Sequence, residues 1–204
     1  EKGSTELEQQ VRNWYHYIWL CGDHICEQHV HNLDVCNWIM RDAPVSAQGM
    51  GGRQVRTGKE FGEIYDHHSV EFTYANGAKM LSQCRHMPNC QDDVSEHAHG
   101  AHGWADVSAG RIAARGWDWR FQGESPDPYQ KEHDDLFAAI REGHAYNEAE
   151  YGAKSTMTSI LGRMATYSGR VVSWKDALAS QLALRPSKYD WDGVPPSLPF
   201  WIAE

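Results

Sequence analysis

Residues 69–84 read SVEFTYANGAKMLSQC, two strand-like runs meeting at Asn76-Gly77. Asn-Gly between such runs is the strongest short-range signal for a β-hairpin, because both residues tolerate positive φ. Further short strands are expected at Val94 to His99, Trp104 to Val107 and Trp117 to Phe121, separated by glycines. No helical pattern lies between them, so they should pair antiparallel; a parallel pair needs a crossover of about a dozen residues or more.

On both sides of this region the pattern turns helical. Leu7 to Leu20 is rich in aromatics, and Ile25, Val30, Leu33 and Ile39 recur at near-helical intervals up to Met40, with Pro44 helping to end the run. Downstream, Asp127-Pro128 supplies an N-cap with proline at N1, and Gly143 is the matching stop. Asn147 with Glu150 opens a helix running to Gly169, and Ser173 with Asp176 forms another capping box. The fold class is therefore α+β. No repeat, low-complexity tract or linker divides the chain, which reads as one domain over 1–204.

Bulk composition narrows the function. The 204 residues are 41% hydrophobic with nine Trp, which suits a packed core. A net charge of −9 leaves no electrostatic footprint for nucleic acid or an anionic membrane surface. No apolar run approaches the length of a membrane span. The start, EKGSTELEQQ, lacks the pattern of a secretory signal, so a cytoplasmic location is favoured, with the periplasm as the alternative if a signal was removed. Five cysteines, with no C-x-x-C pair, argue against a disulfide framework or zinc knuckle.

Residues 22–34, GDHICEQHVHNLD, concentrate the chemistry. On a continuous helix His24, Glu27, His31 and Asp34 would share one face. Such a stripe is ordinarily a solvated face, yet solvated faces rarely favour histidine. A carboxylate beside an imidazole fixes its tautomer and sets up an acid/base pair. The same spacing brings His24, Glu27 and His31 together as ligands for a divalent metal. Two further histidine groups occur downstream, Tyr65-Asp66-His67-His68 and His97-Ala98-His99. Arg53, Arg56 and Arg85 are candidate forks for a carboxylate or sugar hydroxyls. Trp14 and its aromatic neighbours in RNWYHYIW could stack on sugar C–H faces, although rings of this kind also build ordinary cores.

These segments resemble a known family. GDHICEQHVHNLDVCNW is similar to the G-G-x-x-x-x-D-x-G-x-H-x-x-D segment of the Gfo/Idh/MocA oxidoreductases. The likeness extends through PVSAQGMGGRQ, IYDHHSVEFTYANG, VSEHAHGAHG and NEAEYGAKSTMTSILGRMATYSGR, and points to a bacterial subgroup acting on sugars and glycosides. It implies an open, mainly antiparallel sheet with helices packed on one face, corresponding to the family's substrate domain. It also implies that His31 is the acid/base histidine, that Glu27 stands where the family has Asp, and that Asp34 is the motif's last acid. His29 replaces the motif's glycine. Tyr65, Asp66, His67 and Arg85 fall where the subgroup would line its sugar pocket. The family's strand–G-x-G-x-x-G–helix unit and its Glu-Lys-Pro lysine have no counterpart in this sequence. NAD is accordingly expected only with a separate dinucleotide-binding partner domain.

Three functions are expected from these residues. The first is the substrate half of an NAD-dependent sugar or glycoside dehydrogenase. The second is a stand-alone hydrolase of glycosides or lactones using Glu27 and His31, with a divalent ion activating water. The third is a non-catalytic binding or oligomerisation module. A homodimer through the open sheet is expected in each case.

Overall fold

The computed structural model describes residues 4–196; residues 1–3 of the polar amino-terminal stretch lie outside it. In chain order the elements begin with α1 (Glu6–Arg12), α2 (Ile18–Cys21), α3 (His24–Glu27) and α4 (Val30–Met40). Then come β1 (Ser46–Gly52), β2 (His67–Thr73), β3 (Lys79–Arg85), β4 (His97–Gly100), β5 (Gly103–Asp106), β6 (Arg111–Ala114) and β7 (Trp117–Arg120). The chain closes with α5 (Pro128–Glu142), α6 (Ala149–Ser168), β8 (Val172–Ser173) and α7 (Trp174–Ala179). Two units result: one runs to Asp92 and resumes at Lys154, and the other is Asp93–Ala153.

The hairpin expected at Asn76-Gly77 organises the first unit. Tyr74 N–H donates to Ala78 O at 2.9 Å, so the loop has three residues and Gly77 adopts φ +86°. Its strands β2 and β3 pair in full register, and β1 and β8 extend the antiparallel sheet in the order β3-β2-β1-β8. Because side chains alternate across a strand, the register puts Ala47, Phe72 and Met80 in one row, and Gly49, Val70 and Ser82 in the next. This face meets Ile25, Leu33, Leu161, Ala165 and Ala177 from four helices. Fully burying a side chain the size of Phe72 or Leu161 stabilises the fold by roughly 1.5–3 kcal/mol. The opposite face is bare, with Met50 74% and Leu81 77% exposed. An open antiparallel sheet with helices on one face is thus what forms.

Strand β1 carried no strand signal in the sequence. Its SAQGMGG composition is poor in β-branched residues. The glycines are needed for approach rather than flexibility. A Cβ on Gly49 would lie 2.5 Å from Ser69 O and 3.1 Å from the Thr166 methyl, so only glycine lets α6 settle on the sheet here.

Two expected long helices are broken. Leu7 to Leu20 becomes α1, a 3₁₀ turn at Trp14–His16, and α2. Ile25 to Met40 is interrupted at Gln28-His29, where His29 N–H bonds His24 O at 3.1 Å, five residues back. The later helices form as their caps direct. Asp127 accepts from Tyr129 and Gln130 N–H, Gly143 ends α5 at φ +70°, and Ser173 Oγ accepts from Asp176 N–H.

In the second unit β4-β5-β6-β7 form an antiparallel meander. Strand β6 was not expected from its RIAA sequence. His97 and His99 do share a face, since each is one of an alternate pair, but both are exposed.

Helix α6 crosses the sheet through Gly162, where an added Cβ would sit 2.7 Å from Phe72 Cζ and 3.1 Å from Ile25 Cδ1. Gly162→Ala should therefore destabilise the protein by about 1–2 kcal/mol in urea titration, although alanine is the better helix former by up to about 1 kcal/mol. A gain in stability would show that the helix and sheet can separate freely.

Candidate functional site

The break at Gln28-His29 rearranges the polar stripe. An i→i−5 bond inserts one extra residue into the turn, which rotates the downstream residues by about 100° relative to a continuous helix. His24 consequently faces the interior at 1% exposure, while His31 is exposed. Asp34 accepts the Ser155 hydroxyl. Glu27 lies by Tyr15, whose phenol is pushed above its ordinary range by burial first and by the Glu27 charge next. The structure does not bring Glu27 and His31 to His24 as metal ligands. Among the described residues, the set of three or more His, Cys, Asp or Glu near enough to share an ion is Asp23, His24 and His68, with ligand atoms within 4.8 Å of one another.

This cluster is built around Asp23. Gly22 ends α2 at φ +76°, and Asp23 comes next at φ 77°, ψ 158°, a region that side chains strongly disfavour. What holds the strained residue is its carboxylate, buried to 0% exposure. Oδ1 accepts the His24 N–H and lies 2.9 Å from His24 Nδ1; Oδ2 accepts the Tyr167 hydroxyl at 2.6 Å and the Tyr65 N–H at 3.1 Å. His68 points inward from β2, with Nδ1 3.0 Å from Thr166 Oγ1 and Nε2 3.3 Å from Asp23 Oδ1. Tyr65 stacks on Tyr167 with ring centroids 3.8 Å apart. Burial alone would raise the Asp23 carboxyl, but hydrogen bonding, above all from His24, outweighs it and holds it well below the usual carboxylate range.

A column of rings runs from this cluster toward the surface. His86 stacks on His24 at 4.7 Å, and Tyr15 stacks on His86 at 5.7 Å. The Gln28 side chain ties them together: its Oε1 lies 2.8 Å from His86 Nε2 and accepts the Tyr15 hydroxyl at 2.8 Å. An amide oxygen only accepts, so His86 carries its proton on Nε2. Burial, helped by the neighbouring His24 and Arg56, brings the His86 pKa down to about 4.

The other expected binding residues are placed differently. Asp66 is buried, and its carboxylate accepts N–H groups of Gln54, Val55 and Arg56 at 2.7–2.9 Å and contacts His67 Nδ1 at 2.7 Å. Arg53 donates to Arg56 O and Gly58 O. Both residues therefore cinch the loop after β1, which leaves little polar capacity for a ligand. Arg85 donates to Gln91 O, Trp14 is partly exposed beside Tyr15, and Tyr65 belongs to the Asp23 cluster. Asp23, His68, His86 and Tyr167 were absent from the expected site. The period-2 alternation of His67 and His68 was the signal that could have turned His68 inward.

No family model and no curated protein matches the sequence. Solved structures do. Aldose-aldose oxidoreductase from Caulobacter crescentus superposes with a TM-score of 0.65 at 17% identity, over 78% of this chain and 50% of that one. Here the geometry decides. The chain has the fold of the C-terminal domain of Gfo/Idh/MocA-type oxidoreductases. Myo-inositol 2-dehydrogenase from Lactobacillus plantarum gives a TM-score of 0.61 at 12% identity, over 83% of this chain and 54% of that one. UDP-N-acetylglucosamine 3-dehydrogenase from Acidithiobacillus ferrooxidans gives 0.59 at 16% identity, over 72% and 48%. This chain spans about half the length of the solved chains it matches. Among the described residues, no helix is long and apolar enough to cross a membrane.

The depressed His86 pKa carries a pH signature. With a folded value of about 4 against an ordinary 6.5, the unfolded chain takes up the proton first as pH falls. The His86 contribution is therefore complete above about pH 6.5 and declines toward pH 4. Urea midpoints measured across this range should fall with acidification, and His86→Gln should make the decline shallower. An unchanged slope in the variant would remove His86 from the account.

Proposed function

We propose that this chain is the substrate-binding half of an oxidoreductase acting on a sugar, polyol or glycoside, with residues 1–204 working as one substrate domain. The observation that carries the reading is the exposure of His31 at the start of α4, three residues after Gln28. His31 is free of the buried cluster, so its ring can reach a ligand. Gln28, Tyr15 and His86 supply an amide, a phenol and an imidazole within one hydrogen-bonded group, a chemistry suited to hydroxyls. The fold supports the same reading, since its structural neighbours include aldose-, inositol- and UDP-sugar-directed oxidoreductases.

In this reading His31 takes the proton from the substrate hydroxyl as it is oxidised. The pairing with Glu27 expected from a continuous helix is not formed across the widened turn, so Glu27 is given no orienting role. Where this protein oxidises a sugar, His31→Asn should lower kcat by about 10²–10⁴-fold. The described residues do not fit a dinucleotide. The glycine-rich end of β1, Gly49 to Gly52, runs into the loop cinched by Asp66 and Arg53. Only a 3₁₀ turn at Lys59–Phe61 lies between it and β2, so no α-helix presents N–H groups to a pyrophosphate there. NAD would have to be held by another domain, and no step is assigned to it.

Two measurements test the proposal. Saturation-transfer NMR against a panel of aldoses, polyols and glycosides should detect binding that Gln28→Ala and Tyr15→Phe weaken, while calorimetry with NAD alone should show no heat of binding. Micromolar NAD affinity, or silence across the whole panel, would overturn it. We further propose that a second copy sits on the bare face of the β1–β3 sheet, where Met50 and Leu81 stand out. Leu81→Glu should then convert a dimer to a monomer by light scattering, and a monomeric wild type would refute the arrangement.

A further inference from the structure

The cluster at Asp23 has an unmet electrostatic need. His24 Nδ1 lies 3.1 Å from Tyr65 O, a carbonyl that can only accept, so Nδ1 carries the proton and the neutral ring has a bare Nε2. His68 is fixed the same way by a different partner. The Thr166 hydroxyl has one hydrogen, directed to Arg163 O at 3.0 Å, so its oxygen accepts from His68 Nδ1–H. The His68 Nε2 is left bare as well. Buried side-chain polar atoms without a hydrogen-bond partner number three among the described residues, and two of them are His24 Nε2 and His68 Nε2.

One of these bare nitrogens faces a carboxylate. His68 Nε2 stands 3.3 Å from Asp23 Oδ1 without forming a hydrogen bond, and both residues are almost wholly buried. Two lone pairs this close and away from water repel, and a positive charge between or beside them removes the conflict. A proton on His68 is one candidate, which the imidazole nitrogen shifts separate from the other. The other candidate is a metal ion. Ligands bonded at 2.0–2.2 Å in a tetrahedral shell lie about 3.3–3.6 Å apart, a range that includes the 3.3 Å spacing of this pair. Each imidazole also has its second nitrogen held by a carbonyl, carboxylate or hydroxyl, the outer support that metal-ligating histidines ordinarily have.

The geometry points to a divalent-metal site formed by Asp23 Oδ1, His68 Nε2 and His24, suited to Zn²⁺ by its nitrogen and oxygen donors. It shares only His24 with the His24, Glu27 and His31 stripe and is independent of the oxidoreductase reading. Because all three ligands are buried, the ion acts on structure: it links the strained turn before α3 to β2, and it stands behind the His86 ring rather than at the surface.

The test uses the whole chain. Protein stripped with a chelator and titrated with Zn²⁺ against a chromophoric competitor should bind one equivalent, and its melting temperature should rise with Zn²⁺ and fall back on chelation. His24→Asn and His68→Asn should each weaken binding at least tenfold, whereas a His97→Asn/His99→Asn pair should leave it intact. Absence of binding at micromolar Zn²⁺ overturns the proposal, as does loss of binding in the His97/His99 pair alone. If the buried variants fail to fold, zinc-edge absorption of the loaded wild type decides: two imidazoles in the first shell support the site, and none refutes it. Imidazole ¹⁵N shifts showing His68 doubly protonated at neutral pH would also refute it.

Discussion

The Asp23 carboxylate is the constraint on which the arrangement of the first unit depends. It joins three segments distant in sequence: the turn between α2 and α3, the chain entering β2 at Tyr65, and α6 through Tyr167. A buried carboxylate is costly unless donors surround it, and this one has two backbone N–H groups, a phenol and the His24 imidazole. The same contacts hold Asp23 at φ 77°, a conformation that a lone aspartate would leave. Strain and burial thus fall on one residue, next to the segment richest in histidine.

That anchoring explains why the polar stripe of residues 24–34 divides into two parts. His24 is drawn inward by Asp23 and Tyr65 O, and the helix accommodates this with the wide turn at His29. His31, past the turn, is released to solvent. One short segment therefore gives the fold its buried polar centre and gives the surface its candidate acid/base. Between them, the Tyr15–Gln28–His86 group connects interior and exterior through stacked rings and a shared amide oxygen.

Much of the fold was legible from local chemistry. Asn76-Gly77, Asp127-Pro128, Gly143 and Ser173 with Asp176 each sit where their turn or capping preference places them, because these effects act within four residues. Strands β1, β6 and β8 were not legible. The glycines of β1 answer to Thr166 and Ser69, which are distant in sequence, and no local propensity records that demand. The site was legible only in part. Asp66 and Arg53 have the residue types of a sugar site, yet their hydrogen bonds close a loop, and residue type alone does not distinguish the two uses.

The sequence by itself determined an acidic α+β chain, its hairpin, its helix caps, its likeness to one oxidoreductase half and its concentration of histidine in residues 22–34. The tertiary structure alone decided which histidines face each other. His24 and His68 lie 44 residues apart and meet because the β2 register turns His68 inward while the break at His29 leaves His24 facing the same interior. Helical spacing can place neighbours on one face, but it cannot anticipate a turn widened by a buried carboxylate, whose donors come from three separate segments.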